Sequence, residues 1–380
     1  MKAWYKAIKE KNKYLQWVFV LGLLYLFLSA IMLMGDSFKL IGSEFVNFLF
    51  ETTTNPFVSL FVGLATTSII QSSSTTTSIV VGMVSGGVIG VEQAVPLIMG
   101  ANIGTSVTNT IVALTHVGRK EEFKKAFAGA IIHDAFNFFT VIILFPIELA
   151  TGFLAKSSEF VAHLISGEKS FHFTSPIKII IKPFSDLIIN FFTSILTLSP
   201  KASGIIILIL SLAMIFVALV GLVKILKTLM VSRIRIAMDK ILGESGYGAL
   251  VIGILITVLV QSSSVTTSIL VPMVGSGILT LEAAMPITIG ANIGTTITAL
   301  LASLAGDVHG LAIALAHLFF NICGTLIFYP VKTMRNIPLR LARFAGEYGV
   351  EHPRRIIGAV ILLYFAAPLL IIFISKYILE

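Results

Sequence analysis

The chain has 380 residues, of which 56% are hydrophobic and only 12% are charged. Its mean hydropathy of +0.97 is too high for a soluble globular protein, so the composition places it in a lipid bilayer. A formal charge of +8 would also suit a nucleic-acid-binding protein. The basic residues argue against that class, because they stand in short blocks between apolar runs, as is typical of membrane proteins.

The N-terminal part of the chain predicts a helix that leaves the cytoplasm. Residues 1–14 hold five lysines and one glutamate, which predicts a basic cytoplasmic N-terminus. The apolar run 15–35 is long enough to cross the bilayer outward. Residues 36–53, with three acidic residues and one lysine, are expected on the outer face. This helix opens a first structural unit, or repeat, which we place at 15–150.

A hairpin with a polar tip is predicted after this helix. Its first limb, Pro56–Ile70, would extend only about 22 Å at ~1.5 Å per residue, short of the ~30 Å hydrocarbon core. The sequence QSSSTTTSI follows at 71–79. We therefore expect a re-entrant hairpin that turns inside the membrane with QSSS at its tip.

The next apolar segment, 91–114, contains the glycine-bearing sequence GANIGTS. It predicts a helix broken near mid-membrane, which is tolerated only where it lines a cavity enclosed by protein. Four basic residues against two glutamates place the following loop in the cytoplasm, and a helix over about 126–150 returns outward. Residues 151–203 are expected to form an external loop, most polar at 152–178, and an interfacial or partly inserted segment.

The motif-bearing part of the chain occurs twice. At an offset of 190 residues, QSSSTTTSI returns as QSSSVTTSI at 261–269, and GANIGT at 100–105 returns at 290–295. Further along the offset is 184, so the second copy is shorter by six residues. An apolar helix over 204–226 opens this second repeat, which we place at 204–331.

Loop charges indicate that the two repeats are inverted. Segment 224–246 has five basic and two acidic residues, whereas the equivalent segment of the first repeat is acidic. Loop 305–310 has one aspartate and no Lys or Arg, whereas its equivalent is basic. Opposite charges at equivalent loops predict opposite sides of the membrane. The two hairpin tips should then enter from opposite faces and meet near the midplane.

The C-terminal part predicts two further elements. Segment 332–355, with six basic residues and two glutamates, is amphipathic and expected on the cytoplasmic surface. A final transmembrane helix within 356–380 would place the C-terminus outside. The predicted fold class is an all-α polytopic membrane protein with two inverted-topology repeats, each with a re-entrant helical hairpin and a broken helix.

The hairpin tips offer hydrogen-bonding groups without a fixed charge. Hydroxyl donors and free N–H groups at a helix start favour an anion, whereas amide, hydroxyl and carbonyl oxygens favour Na⁺. The alternative explanation of one such stretch is close packing of membrane helices through small hydroxylated residues. Two copies in inverted frames, each followed by GANIGT, favour a binding site.

Buried polar groups downstream form a second set of candidates. His133 lies four residues before Asn137, and His317 lies four before Asn321, so each pair shares a helix face. Ionisable groups within a membrane are costly and are functional hypotheses by default. A structural hydrogen bond inside each pair is an equally open explanation.

The sequence QSSS followed by TTS, with GANIGTSVTNT downstream, resembles the type II sodium-phosphate cotransporter family. The resemblance covers roughly half of the chain and implies that Na⁺ influx is coupled to uptake of inorganic phosphate by alternating access. The expected phosphate-binding residues are Ser72, Ser73, Ser74, Ser262, Ser263, Ser264, Asn102 and Asn292. The expected sodium-binding residues are Gln71, Gln261, Thr75, Thr76, Thr266, Thr105 and Thr295.

This resemblance sets the expected partners and location. The partners are inorganic phosphate, Na⁺ and the lipid bilayer, without nucleic acid; a homo-oligomer is left open. No cofactor is expected besides the cotransported Na⁺, and no enzymatic activity. The expected location is the bacterial cytoplasmic (inner) membrane.

Other functions stay open at this point. Paired polar tips would also suit a Na⁺-coupled carrier for another oxyanion or a small dicarboxylate, or a passive channel. A more distant alternative is an intramembrane serine hydrolase, in which a motif serine would use His133 or His317 as its base. Duplication of every candidate argues against hydrolysis, because one asymmetric nucleophile–base pair suffices.

Overall fold

The computed structural model describes residues 13–166, 176–241 and 246–378, which are helical apart from short turns. The predicted basic N-terminus falls almost entirely outside the described residues. In chain order the helices are α1 (Lys13–Ile41), α2 (Ser43–Thr54), α3 (Pro56–Ile70), α4 (Ser73–Ser85), α5 (Val91–Gly104), α6 (Ser106–Leu114), α7 (Lys120–Thr151), α8 (Phe153–Ser166), α9 (Pro176–Asn190), α10 (Pro200–Ile241), α11 (Tyr247–Val260), α12 (Ser263–Gly275), α13 (Leu281–Ser303), α14 (Val308–Phe328), α15 (Lys332–Glu351), α16 (Pro353–Ile361) and α17 (Ala367–Ile378). Short π-helical turns follow α9 and α16.

Seven helical stretches of the described part are long and apolar enough to cross a membrane. They are α1, α5 with α6, α7, most of α10, α13, α14, and α16 with α17. Many of their large apolar side chains are exposed, as expected of surfaces that face lipid rather than water. The predicted all-α, multi-pass membrane class is therefore confirmed.

Two helical hairpins carry the QSSS sequences at their tips. α3 and α4 meet at Gln71, and α11 and α12 meet at Gln261, each glutamine having the left-handed backbone conformation with φ of 57° and 59°. The longest of these four helices has 15 residues, or about 22 Å, which is too short to cross the hydrocarbon core. The limb predicted over Pro56–Ile70 is confirmed, while its re-entry into the membrane stays a prediction.

Glycines bring the first limb of each hairpin against the helix that carries GANIGT. A Cβ at Gly100 of α5 would lie 1.8 Å from the carbonyl oxygen of Leu60 in α3. The second repeat has the same contact, since a Cβ at Gly290 of α13 would lie 2.1 Å from the carbonyl oxygen of Leu250 in α11. Only glycine permits backbones to approach this closely.

The prediction of a broken helix is wrong for the second repeat. There GANIGT lies within one continuous helix, α13. In the first repeat Thr105 alone separates α5 from α6, and its dihedral angles (φ −59°, ψ −28°) are those of a right-handed helix. Glycine inside a helix costs only about 1 kcal/mol and leaves the hydrogen-bond ladder intact. The glycines of GANIGT serve close packing rather than a break.

The prediction of an external loop over 152–178 is wrong for the residues that form α8. The buried side chains of this helix, Leu154, Ala155, Ser158 and Ala162, recur at the spacing of one helix face. That face packs against α14. The polar residues that suggested a loop belong to the opposite face of an amphipathic helix.

Two other elements differ in extent or setting from their predictions. The helix expected over 204–226 continues to Ile241 and has 42 residues, so most of the basic segment 224–246 is helical. The amphipathic helix over 332–355 is confirmed as α15, with Leu339, Ala342 and Gly346 buried. This buried face packs against α7, so it is occupied by protein rather than free for a membrane surface.

The opening helices of the two repeats, α1 and α10, pack against each other along their length. Gly204, near the start of α10, lies beside Ile41 at the end of α1, and Gly221 lies beside Leu23. The two helices therefore run antiparallel. If one repeat is carried onto the other by a twofold rotation, that axis is perpendicular to these helices.

Contacts between the repeats occur in matched pairs. Ser85, which ends α4, lies against Gly310 at the start of α14. The positions equivalent to these two are Gly275, which ends α12, and Ala126 near the start of α7, and they also lie against each other. When two residues of different repeats are in contact, their two equivalents are therefore also in contact, as a twofold relation requires.

Candidate functional site

Each QSSS tip ends one helix and begins the next. Ser72 and Ser262 are the N-cap residues of α4 and α12. Ser72 Oγ accepts a hydrogen bond from Thr75 N at 3.2 Å, and Ser262 Oγ accepts one from Val265 N at 3.3 Å. The remaining motif serines occupy the first helical turn, where free N–H groups and the helix dipole favour an anion.

Most of the predicted threonines already have partners that shape the tips. Thr67 Oγ1 donates to Thr76 Oγ1 at 2.9 Å, and Thr76 Oγ1 donates to the carbonyl of Ser72 at 3.2 Å. Thr266 and Thr257 form the same kind of pair at 2.8 Å. These pairs join the two limbs of each hairpin. In addition, Thr75 Oγ1 donates to Ser72 Oγ at 2.8 Å, and Thr105 Oγ1 donates to Ala101 O at 3.0 Å.

The motif serines divide into bonded and unbonded hydroxyls. Ser74 Oγ lies 3.0 Å from Thr295 Oγ1, which joins the first hairpin to the GANIGT helix of the second repeat. The motif serines whose hydroxyl forms no hydrogen bond with any described residue are Ser73, Ser263 and Ser264. Those three hydroxyls are unused, and the hydroxyls of Ser72 and Ser262, which only accept here, each keep an O–H donor for a ligand. That Ser73 and Ser263 lie within reach of a single phosphate stays a prediction.

The histidine and asparagine candidates meet between the two repeats, and all are buried. His133 Nε2 lies 2.8 Å from Asn292 Oδ1, and His317 Nε2 lies 3.3 Å from Asn102 Oδ1. Each histidine therefore bonds the asparagine of the other repeat. The remaining two candidates donate to the backbone of their own repeat: Asn137 Nδ2 to Asn102 O at 3.2 Å, and Asn321 Nδ2 to Asn292 O at 3.1 Å.

The hydrogen bonds of Asn292 determine the tautomer of His133. Asn292 Nδ2 donates to Asn137 Oδ1 at 2.7 Å, so Asn292 Oδ1 can only accept and His133 Nε2 carries the proton. His133 Nδ1 lies 2.9 Å from the Ser106 hydroxyl. His133, Asn137, His317 and Asn321, with Asn102 and Asn292, thus form one polar cluster that spans both repeats.

The parts of the chain that carry this cluster and the two tips match a known protein family. The family described as Na⁺/Pi-cotransporter matches residues 26–167 and 214–345, which together cover most of the chain. The chain belongs to the Na⁺/Pi-cotransporter family. The two matched ranges contain the two QSSS hairpins and both GANIGT helices.

Relatives of the chain carry names that agree with this family. It is 36% identical to sodium-dependent phosphate transport protein 2A of Ovis aries over 86% of its own length and 63% of the relative's. It is 34% identical to sodium-dependent phosphate transport protein 2B of Homo sapiens over 94% of its own length and 65% of the relative's. The chain thus spans less than two thirds of these relatives. No solved structure matches it.

Several further buried polar groups near the candidate site were not predicted from the sequence. Asp134 Oδ2 accepts from the Tyr364 hydroxyl at 2.7 Å, while Asp134 Oδ1 is buried without a partner among the described residues. Asn109 Oδ1 accepts from Thr267 Oγ1 of the other repeat at 2.8 Å. An aspartate inside an apolar span was a signal for Asp134. Nothing in the sequence indicated Tyr364, which comes from the last membrane helix.

A surface cavity of about 350 Å³ lies away from the two tips. It lies between α7, α13 and α15, and its charged residues pair with one another, Arg343 with Glu282 and Lys124 with Glu347. Both ion pairs are substantially exposed, and such pairs contribute little binding energy. We place the candidate site at the tips, because there unbonded serine hydroxyls stand beside the free N–H groups of a helix start in both repeats.

Proposed function

We propose that the chain couples Na⁺ influx to uptake of inorganic phosphate by alternating access. The observation that carries this proposal is the bonding of the QSSS tips and GANIGT helices across two repeats that contact each other reciprocally. A central site built from both repeats can be reached from either side when one repeat moves against the other. Phosphate and Na⁺ are the substrates, and the protein needs no other cofactor.

The inverted orientation of the repeats is part of this proposal. Antiparallel packing of α1 and α10 supports it, since equivalent membrane helices that run in opposite directions imply opposite orientations. Residues predicted on one side of the membrane also cluster together. Glu282 pairs with Arg343 on the predicted cytoplasmic side, and His163 lies beside His309 on the predicted outer side. We infer an N-terminus in the cytoplasm and a location in the bacterial inner membrane.

The contacts suggest separate roles for the expected site residues. We assign phosphate binding to the unbonded hydroxyls of Ser73, Ser263 and Ser264, with the N–H groups of the first helical turns. Na⁺ would be held by the glutamine side chains, by hydroxyl oxygens and by backbone carbonyls at the tips. Asn102 and Asn292 are already bonded to histidines, so they position the site more than they bind the anion. The carboxylate oxygen of Asp134 that lacks a partner is a further oxygen suited to a cation.

The test is phosphate uptake by the purified protein in liposomes under an imposed Na⁺ gradient. We expect phosphate to accumulate against its own gradient only when the Na⁺ gradient is directed inward, and repeating the assay with a membrane potential shows whether the cycle moves net charge. A passive channel would equilibrate phosphate without accumulating it. Absence of accumulation would end the cotransport proposal.

Gln71→Ala and Gln261→Ala test the role of the tips. Each variant is expected to abolish Na⁺-driven phosphate uptake while the protein inserts into the membrane in normal amounts, because the tip loses an amide but no packed apolar surface. Insertion is measured by the yield of monodisperse purified protein. Uptake at the wild-type rate in either variant would show that the tips are not the binding site.

Two alternative functions can be separated from phosphate cotransport. Competition of labelled phosphate uptake by arsenate, sulfate and succinate identifies a carrier for another oxyanion or a dicarboxylate. The serine hydrolase alternative requires a motif serine bonded to a histidine. Among the described residues, His133 bonds Ser106 and Asn292 instead, and His317 bonds Asn102, which does not favour that alternative.

A further inference from the structure

Three equivalent side chains on the two GANIGT helices have different partners in this structure. On α13, Asn292, Thr295 and Thr298 are spaced three residues apart and so share one face. We call this the engaged face, because every one of its side chains bonds another element. Their partners are Asn137 Oδ1 and His133 Nε2 for Asn292, Ser74 Oγ for Thr295, and Gln261 Oε1 for Thr298, at 2.7 to 3.0 Å.

The same face of the first repeat makes almost none of these bonds. We call Asn102, Thr105 and Thr108 the idle face. Asn102 Nδ2 donates to Ile98 O at 2.9 Å and Thr105 Oγ1 donates to Ala101 O at 3.0 Å, both within their own helix. The hydroxyl of Thr108 is buried without a partner among the described residues. Among the described residues, only the longer contact of Asn102 Oδ1 with His317 of the other repeat joins this face to another element, at 3.3 Å.

The glutamines at the tips show the same difference. Gln261 accepts from Thr298 Oγ1 at 3.0 Å and donates from Nε2 to Val258 O at 2.7 Å. Gln71 has the same backbone conformation, but its side chain is exposed and forms no hydrogen bond with any described residue. Gln261 is bonded by Thr298, and the residue equivalent to Thr298 in the first repeat is Thr108. The hydroxyl of Thr108 is therefore the equivalent donor for Gln71.

The histidines repeat this pattern a third time. His133 is bonded at both ring nitrogens, whereas His317 Nδ1 is buried without a partner among the described residues. Thr296 is equivalent to Ser106, which bonds His133 Nδ1. Instead of bonding His317, Thr296 donates to Ile293 O at 2.7 Å. The amide oxygen of Asn321 is likewise buried and unbonded, whereas its equivalent in Asn137 accepts from Asn292.

Two other unbonded hydroxyls, those of Thr110 and Thr77, do not belong to this pattern, because the equivalent position or partner in the other repeat is a different residue. Thr110 Oγ1 is buried without a partner among the described residues, and the position equivalent to Thr110 is Leu300. Thr77 Oγ1 is also unbonded, and the asparagine that its equivalent bonds is replaced by Ala299 in the other repeat. No exchange of roles between the repeats could satisfy these two hydroxyls through the equivalent bonds.

We propose that the engaged and idle faces exchange roles during transport, and that Thr108 and Thr298 are the positioning residues that dock Gln71 and Gln261 in alternate states. The inference rests on the proposed cotransport function and deepens it. In the opposite state Gln71 accepts from Thr108, Ser264 bonds Thr105, and Gln261 is released toward the ligand path. The exchange satisfies the unbonded atoms of Thr108, His317 and Asn321 at the cost of their equivalents.

This arrangement keeps the two states close in free energy. An unbonded buried polar group costs about 1–3 kcal/mol, so a state with every atom bonded on both faces would be too stable to leave. With one face engaged at a time, the number of bonds stays nearly constant while their location changes. Substrates then need to supply only a modest difference in binding to shift the population.

The test compares three substitutions of threonine by valine, Thr108→Val, Thr298→Val and Thr110→Val, each of which removes one hydroxyl. Thr298→Val deletes a bond present in this structure, so we expect Tm to fall by roughly 2 °C and uptake to fall. Thr108→Val deletes an unbonded hydroxyl, so Tm should not fall. Its phosphate uptake should nevertheless fall by about tenfold, the factor equivalent to about 1.4 kcal/mol, because the opposite state loses its bond.

Thr110→Val is the matched control, with the same chemical change two residues away on the same helix. It should keep both Tm and uptake, since Thr110 has no partner to gain. Thr108→Ser retains the hydroxyl and should restore uptake to near the wild-type rate. Wild-type uptake in Thr108→Val, or a loss of Tm in that variant equal to that of Thr298→Val, would overturn the proposal.

The two proposals fail in distinguishable ways. If the wild-type protein does not accumulate phosphate under a Na⁺ gradient, the cotransport function is wrong, whatever the variants do. If the wild type transports and Thr108→Val behaves like Thr110→Val, cotransport stands and the exchange of faces is wrong.

Discussion

At the scale of single residues, the hydroxyl-rich tips contain two kinds of side chain. Thr76 and Thr266 bond across their own hairpins and hold the two limbs together. Ser73 and Ser263 are buried but form no hydrogen bond with any described residue. Composition alone could not separate these roles, because serine and threonine offer the same hydroxyl and only the neighbours decide whether it is already used.

This division predicts opposite results for two substitutions. Ser73→Ala should raise the KM for phosphate by tenfold or more, since a hydrogen bond to a charged group contributes about 1.5–3 kcal/mol, and should leave Tm unchanged. Thr266→Val should lower Tm, because it leaves the buried Thr257 hydroxyl without its bond. Uptake kinetics and thermal unfolding of the purified proteins measure the two effects. A Tm loss in Ser73→Ala would mean that its hydroxyl already holds the hairpin together.

At the scale of helices, the sequence predicted the elements whose ends carry a distinct signal. Asn55 caps α3 and Pro56 starts it, so that limb had clear bounds. The histidine–asparagine cluster could not be foreseen, because His133 and Asn292 are 159 residues apart and only the packing of α7 on α13 brings them together. GANIGT was misinterpreted because glycine signals a break and a close approach equally well.

The close approach of α5 to α3 gives a prediction with an internal control. Gly100→Ala places a methyl group where it would overlap the Leu60 carbonyl, so the helices must separate, and overpacking of this kind costs about 1–3 kcal/mol. Gly22 lies in α1 with no atom within 4 Å of its Cβ position. Gly22→Ala should therefore keep Tm and uptake, while Gly100→Ala lowers both. Equal Tm values for the two variants would show that the helices are not in contact there.

At the scale of the whole molecule, the reciprocal contacts explain how a duplicated sequence forms one site. The first limb of each hairpin packs on its own GANIGT helix through glycines, and the second limb packs on helices of the other repeat, where Ser74 bonds Thr295 and Thr267 bonds Asn109. The contacts between the repeats are therefore both apolar and polar, with Val271 of α12 packed among the apolar residues of α7. Each hairpin is thus held by both repeats, and neither repeat forms the site alone.

Inversion itself can be tested by labelling two equivalent positions from one side of the membrane. Glu92 and Glu282 are both exposed at the starts of α5 and α13. In a Cys323→Ala background, which removes the chain's single cysteine, Glu92→Cys should react with an impermeant maleimide in intact cells. Glu282→Cys should react only after permeabilisation, because the charge pattern places it in the cytoplasm. A permeant maleimide, which should label both variants, controls for reactivity. Labelling of both positions from the outside would mean that the repeats are parallel, and a central site reached alternately from two faces would then lose its structural basis.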